Sequence, residues 1–321
     1  MQDKQTETGL QYPYCGLSFP RVHCFIKMDK IIDTHFHIWD LELRKTYSRT
    51  DGSFDWPDDS LPKIHRNILA QEAEEELLKS GVQAAIFVQC LNSCMEEVKW
   101  VEELAAKHKV IKGIVGGLDL TQDTEVLRHQ IRSSPLIVGV RHILDCEEED
   151  WLTREDVHRG LQVVMEEGKV FDCLVRPPIL KHVASVAAKF PNLRMVVDHI
   201  SKPYISKGPA MGLSGWKEDM ARAAQYKNVF CKLSGMVTEV DPVNHAQSWG
   251  PQTFRPYVEH CLQVFGAERC MFGSDWPVCR LAGAEHGQVV ALLDQVLEGR
   301  KDEEKKMIFM SNALNFYNLK I

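Results

Sequence analysis

Eight short apolar runs, separated by segments of helical periodicity, constrain this chain more than any other feature of its sequence. They lie at residues 31–37, 84–90, 111–118, 137–143, 170–175, 193–197, 229–233 and 270–272. The runs are apolar almost throughout instead of alternating, which is the pattern of parallel strands covered by helices. Amphipathic segments at 96–107, 121–133, 154–167 and 181–190 fall between them, and an acidic segment at 67–80 stops at Gly81. The repeat of roughly 25 to 40 residues is the length of a strand, a helix and two short loops. Eight such units in 321 residues predict a (β/α)8 barrel, with two last helices at about 284–299 and 301–316 closing the ring. An open, doubly wound sheet is the alternative, but no G-x-G-x-x-G follows the first run.

The barrel is expected to occupy residues 28–321 as one domain. Residues 1–27 are polar and broken by Pro13, Cys15, Gly16 and Pro20, and read as a loosely ordered extension. Met28 lies just before the first strand, so a form starting there would keep the whole domain. A net charge of −7 without any Lys/Arg-rich run argues against a nucleic-acid binder. No apolar run approaches the ~18 residues needed to span a bilayer. The ten cysteines are scattered, with no C-x-x-C pair, and several sit inside apolar runs. That usage, without a leader-like segment, fits a reducing, cytoplasmic setting. The partner expected is a small molecule, and the oligomeric state leaves no mark in the sequence.

In a parallel barrel the reactive groups sit where strands end and βα loops begin. The first strand ends in His35-Phe36-His37, and residues i and i+2 of a strand face the same side. Two imidazoles so placed start a divalent-metal site or a cluster that polarises a carbonyl. With 13 histidines in the chain an H-x-H arises readily by chance, so its position carries the argument. The other strand ends are polar too: Gln89, Asp119, Arg141-His142, Arg176-Pro177-Pro178, Asp198-His199, Lys232 and Ser274-Asp275. A long polar stretch at 40–66 and another at 203–216 would shape the mouth above them.

Read together, D-T-H-F-H-I-W-D, G-V-R-H, V-V-D-H-I-S-K-P, C-K-L-S-G and M-F-G-S-D-W-P-V resemble the signatures of the amidohydrolase superfamily. The nearest resemblance is to its amidohydrolase-related branch, which holds sugar-acid lactonases such as L-fuconolactonase and L-rhamnonolactonase. It covers about residues 30–320, and the closing Ser311-Asn312-Ala313…Tyr317 belongs to it. The resemblance implies a hydrolase that opens a small sugar-acid lactone by water attack. It places His35 and His37 at the first-strand pair, His199 at the sixth-strand histidine and Asp275 at the eighth-strand aspartate. Asp275 is then the expected general base, with His199 beside it in catalysis.

His35, His37, His199 and Asp275 are also the set implied for one divalent metal, zinc first, either held weakly or dispensable. The sequence departs from metal-dependent relatives at strand five, where Leu174-Val175-Arg176-Pro177 offers neither histidine nor bridging lysine. A tight binuclear centre is therefore not expected. Arg141 and Arg176 are expected to hold substrate through forked donors, with His142 and Lys232 as weaker candidates. Trp39 and Trp276 flank the two key strand ends and are expected to stack on a sugar ring. Each of these has a plainer reading: a salt-bridge arginine, a core tryptophan, or for Asp275 a helix cap. Two other classes remain open at this point, a zinc-dependent decarboxylase of the same superfamily and a non-catalytic binding barrel.

Overall fold

A computed structural model describes residues 30–47, 56–144, 147–243 and 249–321. The expected extension at 1–27 lies outside the described residues. The eight runs form eight parallel strands, each hydrogen-bonded to the next in chain order. They are β1 (Ile31–Phe36), β2 (Val82–Val88), β3 (Ile111–Gly116), β4 (Ile137–Ile143), β5 (Val170–Leu174), β6 (Met195–Val197), β7 (Val229–Leu233) and β8 (Cys270–Phe272). Eight helices follow them in alternation: α1 (Ala70–Lys79), α2 (Met95–Ala105), α3 (Thr124–Arg132), α4 (Glu155–Glu166), α5 (Val183–Lys189), α6 (Trp216–Ala224), α7 (Pro251–Phe265) and α8 (His286–Val296). The fold is the (β/α)8 barrel read from the sequence. Strand β2 starts two residues before the expected position, because Gly81 takes a φ of +83° and lets Val82 pair at once with Ile31.

Closure is made just past the ends of β1 and β8. Thr34 Oγ1 donates to the Phe272 carbonyl at 2.6 Å, and His37 N donates to the Trp276 carbonyl at 2.8 Å. Asp275 N donates to the His35 carbonyl, also at 2.8 Å. An irregularity in β1 between Asp33 and Phe36 changes the phase of the strand. Ile32 packs inside the barrel with Ala84 and Ala313, while the Asp33 carboxylate bonds Ser274 and His286. The irregularity lets both histidines serve the strand end without dragging Asp33 to the same side.

The last expected helix is present at residues 302–317, and what differs is that its end turns under the barrel. Helix α8 completes the outer layer, but residues 302–317 form a helical turn, a π-helical segment and a short helix, Asn312–Tyr317. Phe316 and Tyr317 pack with Val88, Val115, Val170, Val196 and Met271 inside the barrel, and so plug its floor. The segment's charged first turn stays at the surface, while Ile308, Phe309, Ala313, Phe316 and Tyr317 on the other side are buried against the strands. No helix among the described residues is long and apolar enough to cross a membrane.

One ion-pair cluster ties the β1 and β8 loops together. Glu72 on α1 accepts from Arg66 at 2.6 and 2.8 Å and from Arg280 at 2.6 Å. These arginine hydrogen bonds hold its carboxyl down at about 2 against the opposing effect of burial. The stabilisation is complete above the ordinary Glu value and disappears as pH falls towards 2. With a side chain 31% exposed, solvent screening leaves about 1–2 kcal/mol. Glu72→Gln should lower the melting temperature at pH 7, and the gap to the unaltered protein should close on acidification. An equal gap at pH 7 and pH 3 would rule the linkage out.

Candidate active site

The site is built on the closure seam, where β1 and β8 deliver His35, His37 and Asp275 side by side. Asp33 fixes both ends at once. Its Oδ1 accepts from His35 N at 3.0 Å and Ser274 N at 2.9 Å, and its Oδ2 accepts from Ser274 Oγ at 2.5 Å. His286, the first residue of α8, meets the same Oδ2 at 3.0 Å. Asp275 then sits at φ +56°, a left-handed conformation that aspartate tolerates better than most residues.

His199 arrives from the opposite side on unusual backbone. His199, Ile200, Ser201 and Lys202 all have positive φ, between 45° and 62°. A run of this kind is stored strain and needs outside support. Ser201 Oγ donates to the Val175 carbonyl at 3.1 Å, and Trp216 Nε1 donates to the Ile200 carbonyl at 2.7 Å. Gly235, itself at φ +60°, lies against the ring, and a Cβ there would come within 2.3 Å of His199 Nδ1. The glycine of the L-S-G segment is thus required by the histidine.

Three imidazoles converge on one carboxylate oxygen. His37 Nε2 lies 3.4 Å from Asp275 Oδ1, and the Nε2 atoms of His35 and His199 lie 3.9 Å from it. All four side chains are buried. Burial drives the three imidazoles towards the neutral form, His199 to about 4. Burial would raise the Asp275 carboxyl, but His199 and His37 outweigh it and hold it below the usual carboxylate range. Asp275 is therefore ionised at neutral pH. His37 Nδ1 faces the Val88 carbonyl at 2.7 Å, an acceptor only, so the ring proton sits there and Nε2 is a bare lone pair. A lone pair and a carboxylate oxygen facing each other at 3.4 Å are satisfied by a proton donor to both or by a cation.

Neighbouring donors of a tetrahedral zinc centre stand about 3.4 Å apart, as follows from bonds of about 2.0–2.2 Å. The cluster is at or slightly beyond that spacing, so the residues present fit a divalent cation. Among the described residues two groups meet the requirement, His35/His37/Asp275 and His35/Asp198/His199, each with donor atoms within 4.8 Å of one another. Asp198 is already committed: Lys232 Nζ lies 3.0 Å from its Oδ1 and Arg141 Nη1 3.2 Å from its Oδ2. The first group, with His199 adjacent, is the better candidate metal centre.

Arg141, expected to hold substrate through its forked donors, turns them inward instead, with Nη1 3.2 Å from His35 Nε2. Its other donors go to the Gln89 carbonyl at 2.7 Å and Gln89 Oε1 at 2.9 Å. Other expected contacts are placed differently. Lys232 is fully buried beneath the site, bonded to Asp172 Oδ2 at 2.5 Å and 3.2 Å from His35 Nδ1. It backs His35 and does not face a substrate. Trp39 and Trp276 are fully buried as well, so neither offers a ring face for stacking. Arg44 covers one at 5.6 Å and Arg280 the other at 4.9 Å, and Trp39 Nε1 donates to the Arg66 carbonyl. His142 stacks on Trp151 at 4.3 Å and meets Glu147 at 2.7 Å, off to one side. Arg176 lies at the rim, a third exposed, forked onto Glu239 at 3.2 and 3.4 Å.

Sequence reasoning missed several residues that build the site. Ser234 meets His199 Nδ1 at 2.9 Å, and Trp56 stands edge-on to His37 with ring centres 6.3 Å apart. Asp172 and Tyr317 complete the buried charge cluster under His35, with the Tyr317 hydroxyl donating to Asp172 at 3.0 Å. Ser234 and Tyr317 had a signal, their places in the C-K-L-S-G and closing motifs.

A family model described as amidohydrolase matches residues 32–319, nearly the whole chain. The chain belongs to the amidohydrolase family. This amidohydrolase is 32% identical to the L-fucono-1,5-lactonase of Burkholderia ambifaria over 90% of its own length and 95% of the relative's. It is 26% identical to the L-rhamnono-gamma-lactonase of Scheffersomyces stipitis over 90% and 99%. Among solved structures it matches an amidohydrolase from Burkholderia multivorans, crystallised with bound zinc, at a TM-score of 0.81. That pair shares 28% identity over 90% of this chain and 99% of the other.

Proposed function

We propose that this amidohydrolase opens a small sugar-acid lactone, with L-fucono-1,5-lactone as the first substrate to consider. The observation that carries the reading is the buried convergence of three imidazoles on one oxygen of the Asp275 carboxyl. Relatives on either side of a 26–32% identity range are named lactonases, which supports the same class. A lactone is an activated ester, so its hydrolysis asks for a positioned water, a base and a polarised carbonyl.

Asp275 Oδ1 receives the proton of a water held between it and the bare His37 Nε2. The same carboxyl then hands that proton to the ring oxygen as it leaves. His199, oriented through Nδ1 by Ser234, presents Nε2 towards the carbonyl oxygen. Arg141 places a fixed positive charge beside His35 on the face where negative charge develops. His35, His37 and Asp275, with His199, would hold a divalent cation, zinc among them. When bound, such an ion supplies Lewis-acid polarisation and a more acidic water. Arg176 at the rim, forked onto Glu239, would take a substrate hydroxyl or carboxylate.

The test is proton release by purified protein across a panel of aldonolactones, L-fucono-1,5-lactone included, with metal content measured on the same sample. Turnover of at least one sugar lactone is expected. Release of CO2 from an aromatic carboxylate, with no lactone turned over, would replace this reading with the decarboxylase one.

A further inference from the structure

Both ring nitrogens of His35 face cations that can only donate. Arg141 Nη1 lies 3.2 Å from Nε2, and Lys232 Nζ lies 3.2 Å from Nδ1. A neutral imidazole has one lone pair, and a metal ligand must turn it on the ion while giving its other N–H to an acceptor. Neither condition is met freely here. Nε2, the nitrogen on the Asp275 side, is met by a guanidinium N–H. Asp198 Oδ1 is the acceptor within reach of Nδ1, at 3.6 Å, farther than the lysine.

The guanidinium is also not free to swing away. Gln89 takes three of its contacts, at 2.7, 2.9 and 3.3 Å, and Asp198 a fourth at 3.2 Å. Only 4% of the residue is exposed. It is anchored on one side and aimed at the ligand nitrogen on the other.

We propose that Arg141 is a built-in competitor for the divalent cation, its guanidinium set against His35 Nε2 so that the His35/His37/Asp275 site exchanges its metal instead of retaining it. The inference rests on reading this cluster as a metal site, and it is independent of which substrate the protein acts on. Removing the guanidinium while keeping an apolar side chain of similar length frees Nε2, removes a positive charge beside the ion and leaves Asp198 paired with Lys232. Changes of this kind next to a metal ligand shift affinity by about 10- to 100-fold.

The experiment is zinc titration of full-length protein against a chromophoric chelator, with bound zinc counted after dialysis, for unaltered protein, Arg141→Met and Arg141→Met/His35→Ala. No substrate is present, so failure here leaves the lactone reading standing or falling on turnover alone. The expected result is at least tenfold tighter zinc binding in Arg141→Met, with the gain lost in the double variant. If Arg141→Met does not fold, Gln89→Met, which unfastens the guanidinium, should give a smaller gain in the same direction. Equal affinity in unaltered and variant protein, no zinc bound by either, or a gain that survives His35→Ala would each overturn the proposal.

Discussion

Asp275→Asn should reduce lactone turnover by about a thousandfold while leaving the fold intact, within the 100- to 10,000-fold range of general-base catalysis. Asparagine is the right probe because the position has φ +56°, which asparagine adopts as readily as aspartate. It preserves the size of the group and the Asp275 N to His35 carbonyl bond at the seam, and removes only the basic oxygen. The loss should fall on kcat, since a general base acts on the proton in motion in the transition state. Turnover and thermal melting measured on one preparation decide the matter. A variant that keeps more than a tenth of the activity would remove Asp275 from the base role. A variant that loses activity together with its melting transition would show a structural part instead.

The largest stability effect should come from Lys232→Met. Lys232 is the one cation lying between Asp172 and Asp198 among the described contacts, 2.5 and 3.0 Å away, and all three groups are fully buried. Burial raises the Asp172 carboxyl to about 6 in spite of Lys232. For Asp198 burial pushes the same way, but Lys232 and His35 overcome it and hold the carboxyl well below its usual value. Removing the ammonium leaves the buried Asp172 carboxyl without its cation, while Asp198 keeps Arg141 at 3.2 Å. Stranding a buried charge in this way costs about 3–5 kcal/mol. Lys232→Met/Asp172→Asn removes one charge of each sign and should regain most of the loss. Denaturant midpoints of the three proteins test this, and a single variant as stable as the unaltered chain would refute it.

How far the sequence could be read depended on how local the cause was. Strands β4, β7 and β8 were legible to the residue because each is a compact, mostly apolar run, and nothing nearby competes. His35, His37, His199 and Asp275 were legible because each ends a strand, and strand ends are where a parallel barrel collects polar groups. Contacts made across the chain were not. Ser274 and His286 reach Asp33 over separations of 241 and 253 residues. Trp39 and Trp276 stand next to site residues in sequence, yet sequence spacing does not tell a ring facing the mouth from one facing the core. Lys232 showed the same ambiguity of direction. The phase change after Asp33 was invisible as well, since a one-residue irregularity in a strand leaves composition untouched.

The seam and the floor have a kinetic consequence. Thr34 meets Phe272 across 238 residues, and Tyr317 meets Asp172 across 145. Loop-closure entropy for such pairs must be met before their contacts give anything back, so both steps come late in folding. Until then β1 and β8 are bare edges with unpaired backbone groups, the kind that pair with another chain as readily as with each other. Refolding of this barrel is thus a race between an intramolecular closure at fixed rate and an intermolecular pairing that scales with concentration, and dilution is what lets the first one win.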